Sequence, residues 1–555
     1  MAAHDSRADV VFSGGAAWSG RPCRPVAGTK GMVATAHPLA TLAGVEVLRA
    51  GGNAVDAAIA AAGVASVVLP HMCGPGGDAF LLIYEAERGR VTAISGAGPA
   101  PRGASPEVYR QRGYRTMPLE GILSVAVPGA VDAWVQAVTL AGSRPLEEVL
   151  EPAVAYAEDG FVVGPELAGE IRSSQDKLSA DPAAREVFLP GGRPPRVGEV
   201  LRQPDLGRSL RRLGRDPEDF YRGELGRRIV SCAQPAGGLF TPEDLASYRS
   251  EVGEPLRTDY RGATLYQTTF PSQGFILLEA LNILEGFDLA GTDRATAIHL
   301  MVEAKKLAFE DRLRFAGDPR HVPFPLERLL SKEYAARRRL RIDAGRAQPG
   351  WYPPAGAGHG AGDTTYLAVV DGRGNAVSLI QSLSLAFGSG VMVPGTGILL
   401  NNRAGRGFTL LDGHPNCLAP GKRTVHTLNC YMVFREGELW LVGGTPGGDG
   451  QPQWNLQVLV SMIDWGLDAA SAVEWPRWTS HPGTDPAHWG EPEELRVENR
   501  LPPDITAELE RRGHRLRLLG PWAGGGAVQL IVRDPATGVL TGVSDPRAEG
   551  LALPL

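Results

Sequence analysis

The sequence predicts an α+β fold in which helices cover a sandwich of β-sheets. Three observations carry this reading. Residues 37–68 and much of 130–340 show helical periodicity. Three strand–turn–strand patterns follow residue 363. Two further helical segments separate the second of these from the third. The chain has 555 residues, which exceeds one ordinary core, so several domains or one large layered unit are expected.

In chain order, HPLATLAGVEVLRAGGNAVDAAIAAAGVASVV reads as two helices. Leu39, Leu42, Val45 and Leu48 repeat at helical spacing. Gly51 and Gly52 break the run, and Asn53 can cap the second helix. CGPGGDAFLLIYEA then places a glycine cluster before a strand. No Lys-Ser/Thr follows, so tight backbone packing is expected there rather than a phosphate loop. His71 and Asp78 flank the cluster and are expected to pack, not to form a catalytic pair.

TPEDLASY opens a helix with Thr241 as N-cap and proline at the first position. ATAIHLMVEAKKLAFEDRLRF (295–315) is a long amphipathic helix stopped by Gly317 and Pro319. From 345 to 363 the composition turns to Gly, Pro and Ala, a linker open to cleavage. TTYLAVVD and GNAVSLIQSLS follow as a hairpin through Asp371-Gly372-Arg373-Gly374. A second hairpin turns at Arg435-Glu436-Gly437. QPQWNLQVLVSMIDWG and DAASAVEWPRW are helices, and AVQLIVRDPATGVLTGVSDPR is the third hairpin. Trp440 and Trp454 are expected to pack the core or a pocket wall.

Composition excludes several classes. A net charge of −6 offers no polyanion footprint, so nucleic acid is not an expected partner. Cys23, Cys73, Cys232, Cys417 and Cys430 are scattered, with no C-x-x-C, and H-E-x-x-H is absent. A reducing compartment is expected, with no metal and no cofactor. MAAHDSRADVVFSGG lacks the pattern of a secretory signal. AAIAAAGVASVVLP is too short and Ala-rich to span a bilayer. The expectation is a cytoplasmic protein with no membrane partner.

Chemistry enters at the linker's end. If the Asp363–Thr364 bond is cut, Thr364 carries a hydroxyl and a free α-amine on one residue. The amine can take the hydroxyl proton, directly or through water. Its ordinary pKa is about 7.7–8.0, and burial lowers it further. No triad is then required, and neither G-x-S-x-G nor S-x-x-K occurs. Attack on an amide also needs donors for the oxyanion. GGTPGGDG (443–450) lies between a strand end and a helix, and its backbone N–H groups are candidates.

Several stretches resemble the γ-glutamyltranspeptidase superfamily of N-terminal nucleophile (Ntn) hydrolases. They include GGNAVDAAIA, TPEDLASYRSEVGEPLRTDYRG, FPSQGFILLEALNILEGFDL, DTTYLAVVDGRGNAVS, GSGVMVPGTGILLNN, GTPGG and SDPRAEG. The resemblance implies a proenzyme that cleaves itself between Asp363 and Thr364. A large chain (1–363) and a small chain (364–555) would together form a four-layer αββα sandwich. It also implies that Thr364 is the nucleophile, that Ser382 stands beside its amine, and that Gly447 and Gly448 hold the oxyanion. Assembly of identical chains is left open.

The departures concern the substrate. The family's arginine for an α-carboxylate is replaced at ISGAGPAP by Ala97. NNRAGRGF has no acid for an α-amine, and KRTVHTLN puts His426 and Thr427 where the family has paired serines. GKRTVHTLN, GTGILLNNR and HPNCL resemble the oxamate amidohydrolase-like branch. That branch implies hydrolysis of a small acid amide by water, with Arg403, His426 and Thr427 binding the substrate. Arg403 could equally form a surface ion pair, and His426 could be a structural histidine. A γ-glutamyl substrate, a bulkier acyl amide and an unprocessed silent scaffold remain as alternatives.

Overall fold

The computed structural model describes residues 23–353 and 362–555. The N-terminal stretch read for a signal, and residues 354–361 of the linker, lie outside the described residues.

Two seven-stranded antiparallel sheets form the centre. The first runs Leu551–Pro554, Gly31–Thr35, Gly362–Asp371, Ala376–Leu385, Asp78–Glu85, Arg90–Gly96, Glu251–Gly253. The second runs Val26–Gly28, Leu540–Ser544, Gln529–Arg533, Glu438–Gly444, Cys430–Arg435, Ala263–Gln267, Leu256–Tyr260. Each sheet therefore mixes strands from both sides of residue 363. All three expected hairpins are present.

Strand alternation decides what faces what, because successive side chains point to opposite faces. Ile380, Phe80, Leu82, Tyr366, Ala368, Leu428, Cys430 and Met432 fill the space between the sheets. Leu367, Val369, Leu379, Leu81 and Ile83 face the other way, into a core shared with the helices Ala54–Val68, Ala130–Ala141 and Leu146–Asp159. The second sheet is covered by Gly274–Leu284, Arg294–Phe315 and Gly450–Ile463. The layers are thus helix, sheet, sheet, helix.

The helix starts obey the capping signals. Asn53 and Asp56 form a reciprocal capping box, as do Thr241 and Asp244. Every residue of Ala54–Val68 is buried, which suits its all-round apolar, Ala-rich sequence.

The stretch 130–340 is mainly helical, as expected, but three of its short strands join the two central sheets. Glu251–Gly253 is the edge of the first sheet; Leu256–Tyr260 is the edge of the second, with Ala263–Gln267 next to it. All three are short; the first is exposed throughout, and the other two alternate between buried and more exposed positions. The linker was read to residue 363, but Gly362 and Asp363 already pair with Leu385 and Ser384 in the sheet. No helix of the described residues is long and apolar enough to cross a membrane.

Candidate active site at the end of the inter-sheet space

Thr364 sits in a bulge. The pairing of its strand with Ala376–Leu385 slips between Asp363 and Thr365. Such a bulge bends the strand and re-aims a side chain. Thr364 is only 1% exposed, so this bond is not an open linker site for an outside protease. Its Oγ1 donates to the carbonyl oxygen of Asp363 at 2.7 Å and lies 3.2 Å from Ser382 Oγ. Ser382 Oγ donates to the same carbonyl at 2.6 Å and accepts the Ser384 N–H at 2.7 Å. Two hydroxyls thus converge on the carbonyl of the Asp363–Thr364 bond.

The backbone beyond is bent to match. Ser384 has φ +93°, unusual for a residue with a Cβ, and its carbonyl accepts Arg406 Nη1 at 3.1 Å. The Asp363 carboxyl is buried and its pKa is pushed up to about 7, by burial first and then by Glu170 and Glu166. Arg406 and Lys177 oppose that rise.

Asp78 continues the row. It is the register partner of Ser382 on the next strand and shares its face. Its Oδ2 accepts Arg403 Nε at 3.2 Å and His426 Nε2 at 2.9 Å. The Leu428 N–H donates to His426 Nδ1 at 3.2 Å. That bond places the imidazole proton on Nε2, facing the carboxylate. Burial, then Arg403, lowers the His426 pKa to about 4, so the ring is neutral at pH 7. Arg403 is 1% exposed, and burial lowers its pKa to about 10, so it stays charged.

Arg403 is therefore not a surface residue. It forms a buried ion pair, and its Nη2 has no partner among the described residues. Its Nη1 lies 3.5 Å from Thr427 Oγ1. Asp78 is corrected too. Instead of packing beside His71, it holds two of the three predicted substrate-binding residues. Both His71 nitrogens are buried without a hydrogen bond, and burial lowers that ring's pKa to about 3.

Gly447 and Gly448 form the turn after the strand Glu438–Gly444. Gly447 has φ +121° and Gly448 φ +55°, a backbone that side chains disfavour. A Cβ on Gly447 would strike the Trp454 ring, and one on Gly448 the Arg406 guanidinium. Trp454 is thus a wall for this turn, with Nε1 tied to Thr479 Oγ1 at 2.9 Å. The Gly448 carbonyl accepts Gln273 Nε2 at 3.0 Å and the Gln451 N–H at 3.2 Å. Gln273 Nε2 also reaches the Thr427 carbonyl at 2.7 Å, linking the two loops.

Several contributors were not foreseen. Arg406 bonds Asp485 at 2.8 Å, and Arg312 bonds Asp449 at 2.8 Å. A cavity beside this group is lined by Arg312, Arg403, Arg406, His414, Thr427 and Asp485. His414 Nε2, like Arg403 Nη2, is buried there without a partner among the described residues. The only sequence signal for Arg406 was its place in NNRAGRGF. Asp485 and Asp449 gave none.

The fold and this geometry can be set beside known proteins. The gamma-glutamyltranspeptidase family matches residues 40–555. The chain is 39% identical over 536 residues to the glutathione hydrolase-like YwrD proenzyme of Bacillus subtilis (strain 168), covering 96% of this chain and 99% of that one. It is 37% identical over 533 residues to the oxamate amidohydrolase proenzyme of Klebsiella pneumoniae subsp. pneumoniae, covering 94% and 98%. The crystal structure of cephalosporin acylase from Bacillus halodurans matches with a TM-score of 0.88 at 39% identity, covering 96% of this chain and 97% of that one. An αββα sandwich and a match of this extent have one reading: the chain belongs to the gamma-glutamyltranspeptidase family and is an Ntn hydrolase.

Proposed function

We propose that the chain is a proenzyme that cleaves itself between Asp363 and Thr364, and that Thr364 then hydrolyses a small acid amide. The observation that carries this is the convergence of the Thr364 and Ser382 hydroxyls on the Asp363 carbonyl, at 2.7 and 2.6 Å.

In maturation, Thr364 Oγ attacks the Asp363 carbonyl carbon. Ser382 O–H stabilises the developing oxyanion. The C–N bond breaks, the nitrogen takes the hydroxyl proton, and an ester joins Asp363 to Thr364 Oγ. Water hydrolyses the ester and frees the α-amine. Chains 1–363 and 364–555 stay together because each sheet draws strands from both. In turnover the amine takes the Thr364 proton, and Oγ attacks the substrate amide. The N–H groups of the Gly447–Gly448 turn hold the oxyanion, ammonia leaves, and water resolves the acyl ester. No step calls on a cofactor.

The substrate class rests on charge. Ala97 leaves no arginine at the family's glutamyl-carboxylate position, and Arg406 is a cation in the stretch where the family has its amine-binding acid. The cavity instead offers the unpartnered Arg403 Nη2, with Thr427 and His414 beside it. Arg403 already pairs with Asp78 through Nε, but its buried Nη2 N–H groups still lack an acceptor among the described residues. An acyl group that ends in a carboxylate supplies one, as oxamate does.

The relatives span a glutathione hydrolase-like protein, an oxamate amidohydrolase and a cephalosporin acylase. A panel decides among them for this chain: ammonia release from oxamate, anilide release from a γ-glutamyl anilide, and deacylation of a cephalosporin. This reading expects kcat/KM for oxamate to exceed the other two by at least about a hundredfold, roughly what two charged hydrogen bonds contribute. A higher value for the anilide would return the substrate to the γ-glutamyl class.

Two substitutions separate maturation from turnover. Ser382→Ala is expected to slow appearance of the small chain by about 10²–10³-fold, the usual effect of losing one oxyanion donor. Gly447→Ala is expected to leave that rate near normal and lower kcat by a similar factor, because a Cβ there displaces the turn against Trp454. Time-resolved gel electrophoresis and steady-state kinetics read the two effects. Equal loss of both rates in either variant would remove the division of labour.

A further inference from the structure

The loop from His481 to Glu491 forms one wall of the cavity. Its middle is fastened to the site. Thr484 Oγ1 donates to the Asp449 carboxylate at 3.0 Å, and the Asp485 N–H reaches Asp449 Oδ2 at 3.0 Å. Asp485 also holds Arg406. Trp489 Nε1 donates to the Thr484 carbonyl at 3.2 Å, and the Trp489 ring lies 5.3 Å from that of His414.

The two ends of this loop meet in a single group. Glu491 Oε2 lies 2.6 Å from His481 Nε2, and Oε1 lies 2.9 Å from His488 Nδ1. The two imidazoles stand edge to face with centroids 5.4 Å apart. One ligand atom from each of the three residues lies within 4.8 Å of the others. Two imidazoles and a carboxylate form a ligand set for Zn²⁺ that leaves a fourth position for water. His488 and Glu491 keep side-chain exposures of 23% and 32%, which opens that position to solvent.

The charges around the group are mixed, with Arg496 and Lys305 close to His481. Glu493 and Glu494 follow closely in sequence. These two carboxylates are paired: Glu493 lies 3.8 Å from Lys306, and Glu494 lies 3.3 Å from Arg496. A second triad, His299, Glu303 and His514, is buried throughout, with no position open to solvent. There Lys306 Nζ holds Glu303 Oε1 at 2.8 Å, and a dication would face that ammonium.

We propose that His481, His488 and Glu491 bind a divalent transition-metal ion of the Zn²⁺ class, which closes the loop that carries Thr484 and Asp485. The sequence expectation of no metal rested on missing C-x-x-C and H-E-x-x-H motifs. The H-x₆-H-x₂-E spacing matches neither. The metal's role is to brace the cavity wall, not to take part in the reaction.

The test uses full-length protein without a histidine tag, stripped with EDTA, desalted, and titrated with Zn²⁺ and Co²⁺. One Zn²⁺ per chain is expected after gel filtration, measured by plasma mass spectrometry. The Co²⁺ form is expected to show visible ligand-field absorption. His488→Ala and Glu491→Gln are each expected to weaken binding at least about tenfold. His299→Ala is expected to keep full loading. Well under one metal per chain in the parent, or unchanged loading in both variants, overturns the proposal. Should a variant fail to fold, the parent's Co²⁺ spectrum decides alone, since absence of the bands also overturns it.

Discussion

Thr364→Ala is expected to leave one 58.9 kDa chain with no amidase activity, however long it is incubated. The methyl group that remains cannot attack the Asp363 carbonyl, so neither the ester nor the free amine forms. Thr364→Ser tests the same point from the other side. It keeps the hydroxyl that reaches the carbonyl at 2.7 Å, and is expected to be processed and active, though more slowly. The fold of the alanine variant should be intact, because the bulge is held by backbone pairing and by Ser382. Mass spectrometry and ammonia release read both variants. Processing of Thr364→Ala at the parent's rate would remove Thr364 from the mechanism.

Arg403→Met is expected to have the second largest effect, on stability as well as on binding. Arg403 and Asp78 are both essentially buried, at 1% and 0% side-chain exposure. Removing the guanidinium leaves Asp78 as an uncompensated buried carboxylate, with only His426 as partner. Breaking a buried pair in this way costs about 3–5 kcal/mol. The measurement is urea unfolding in the Thr364→Ala background, where processing does not complicate the transition. Adding Asp78→Asn should recover most of the loss, because the amide carries no charge and its oxygen still accepts the His426 N–H. If the double variant were no more stable than Arg403→Met alone, the Asp78–Arg403 pair would not be the cause. In the processed enzyme, Arg403→Met should also raise KM for oxamate by at least about tenfold, the loss of one charged hydrogen bond.

Much of the architecture is legible in the sequence because it rests on local rules. Alternation from Ala376 to Leu385 marks a strand, though not its burial on both faces, and the glycine break before Asn53 marks two helices. Thr364 was legible only through its neighbours: a Gly/Pro-rich run before it and a hairpin behind it. The bulge that aims its hydroxyl was not, since bulges depend on pairing across strands.

The substrate pocket was read less well. Arg403 could not be told from a surface residue, because arginine is rarely buried unless paired. Its partner Asp78 lies 325 positions away, and Asp78 reaches His426 across 348. No local spacing encodes such a contact. Asp78 and His71 flank the glycine cluster and were both expected to pack. Strand register sets Ser382 beside Asp78 instead, and the bulge brings Thr364 to Ser382.

The central claim is that this chain cuts itself to expose Thr364. The most direct test is an intact-mass spectrum of the freshly purified protein, with N-terminal sequencing of any smaller fragment. The account predicts two fragments in equal amounts, the smaller beginning Thr-Thr-Tyr-Leu. A single species at 58.9 kDa that persists through long incubation would contradict it and leave Thr364 as an ordinary strand residue.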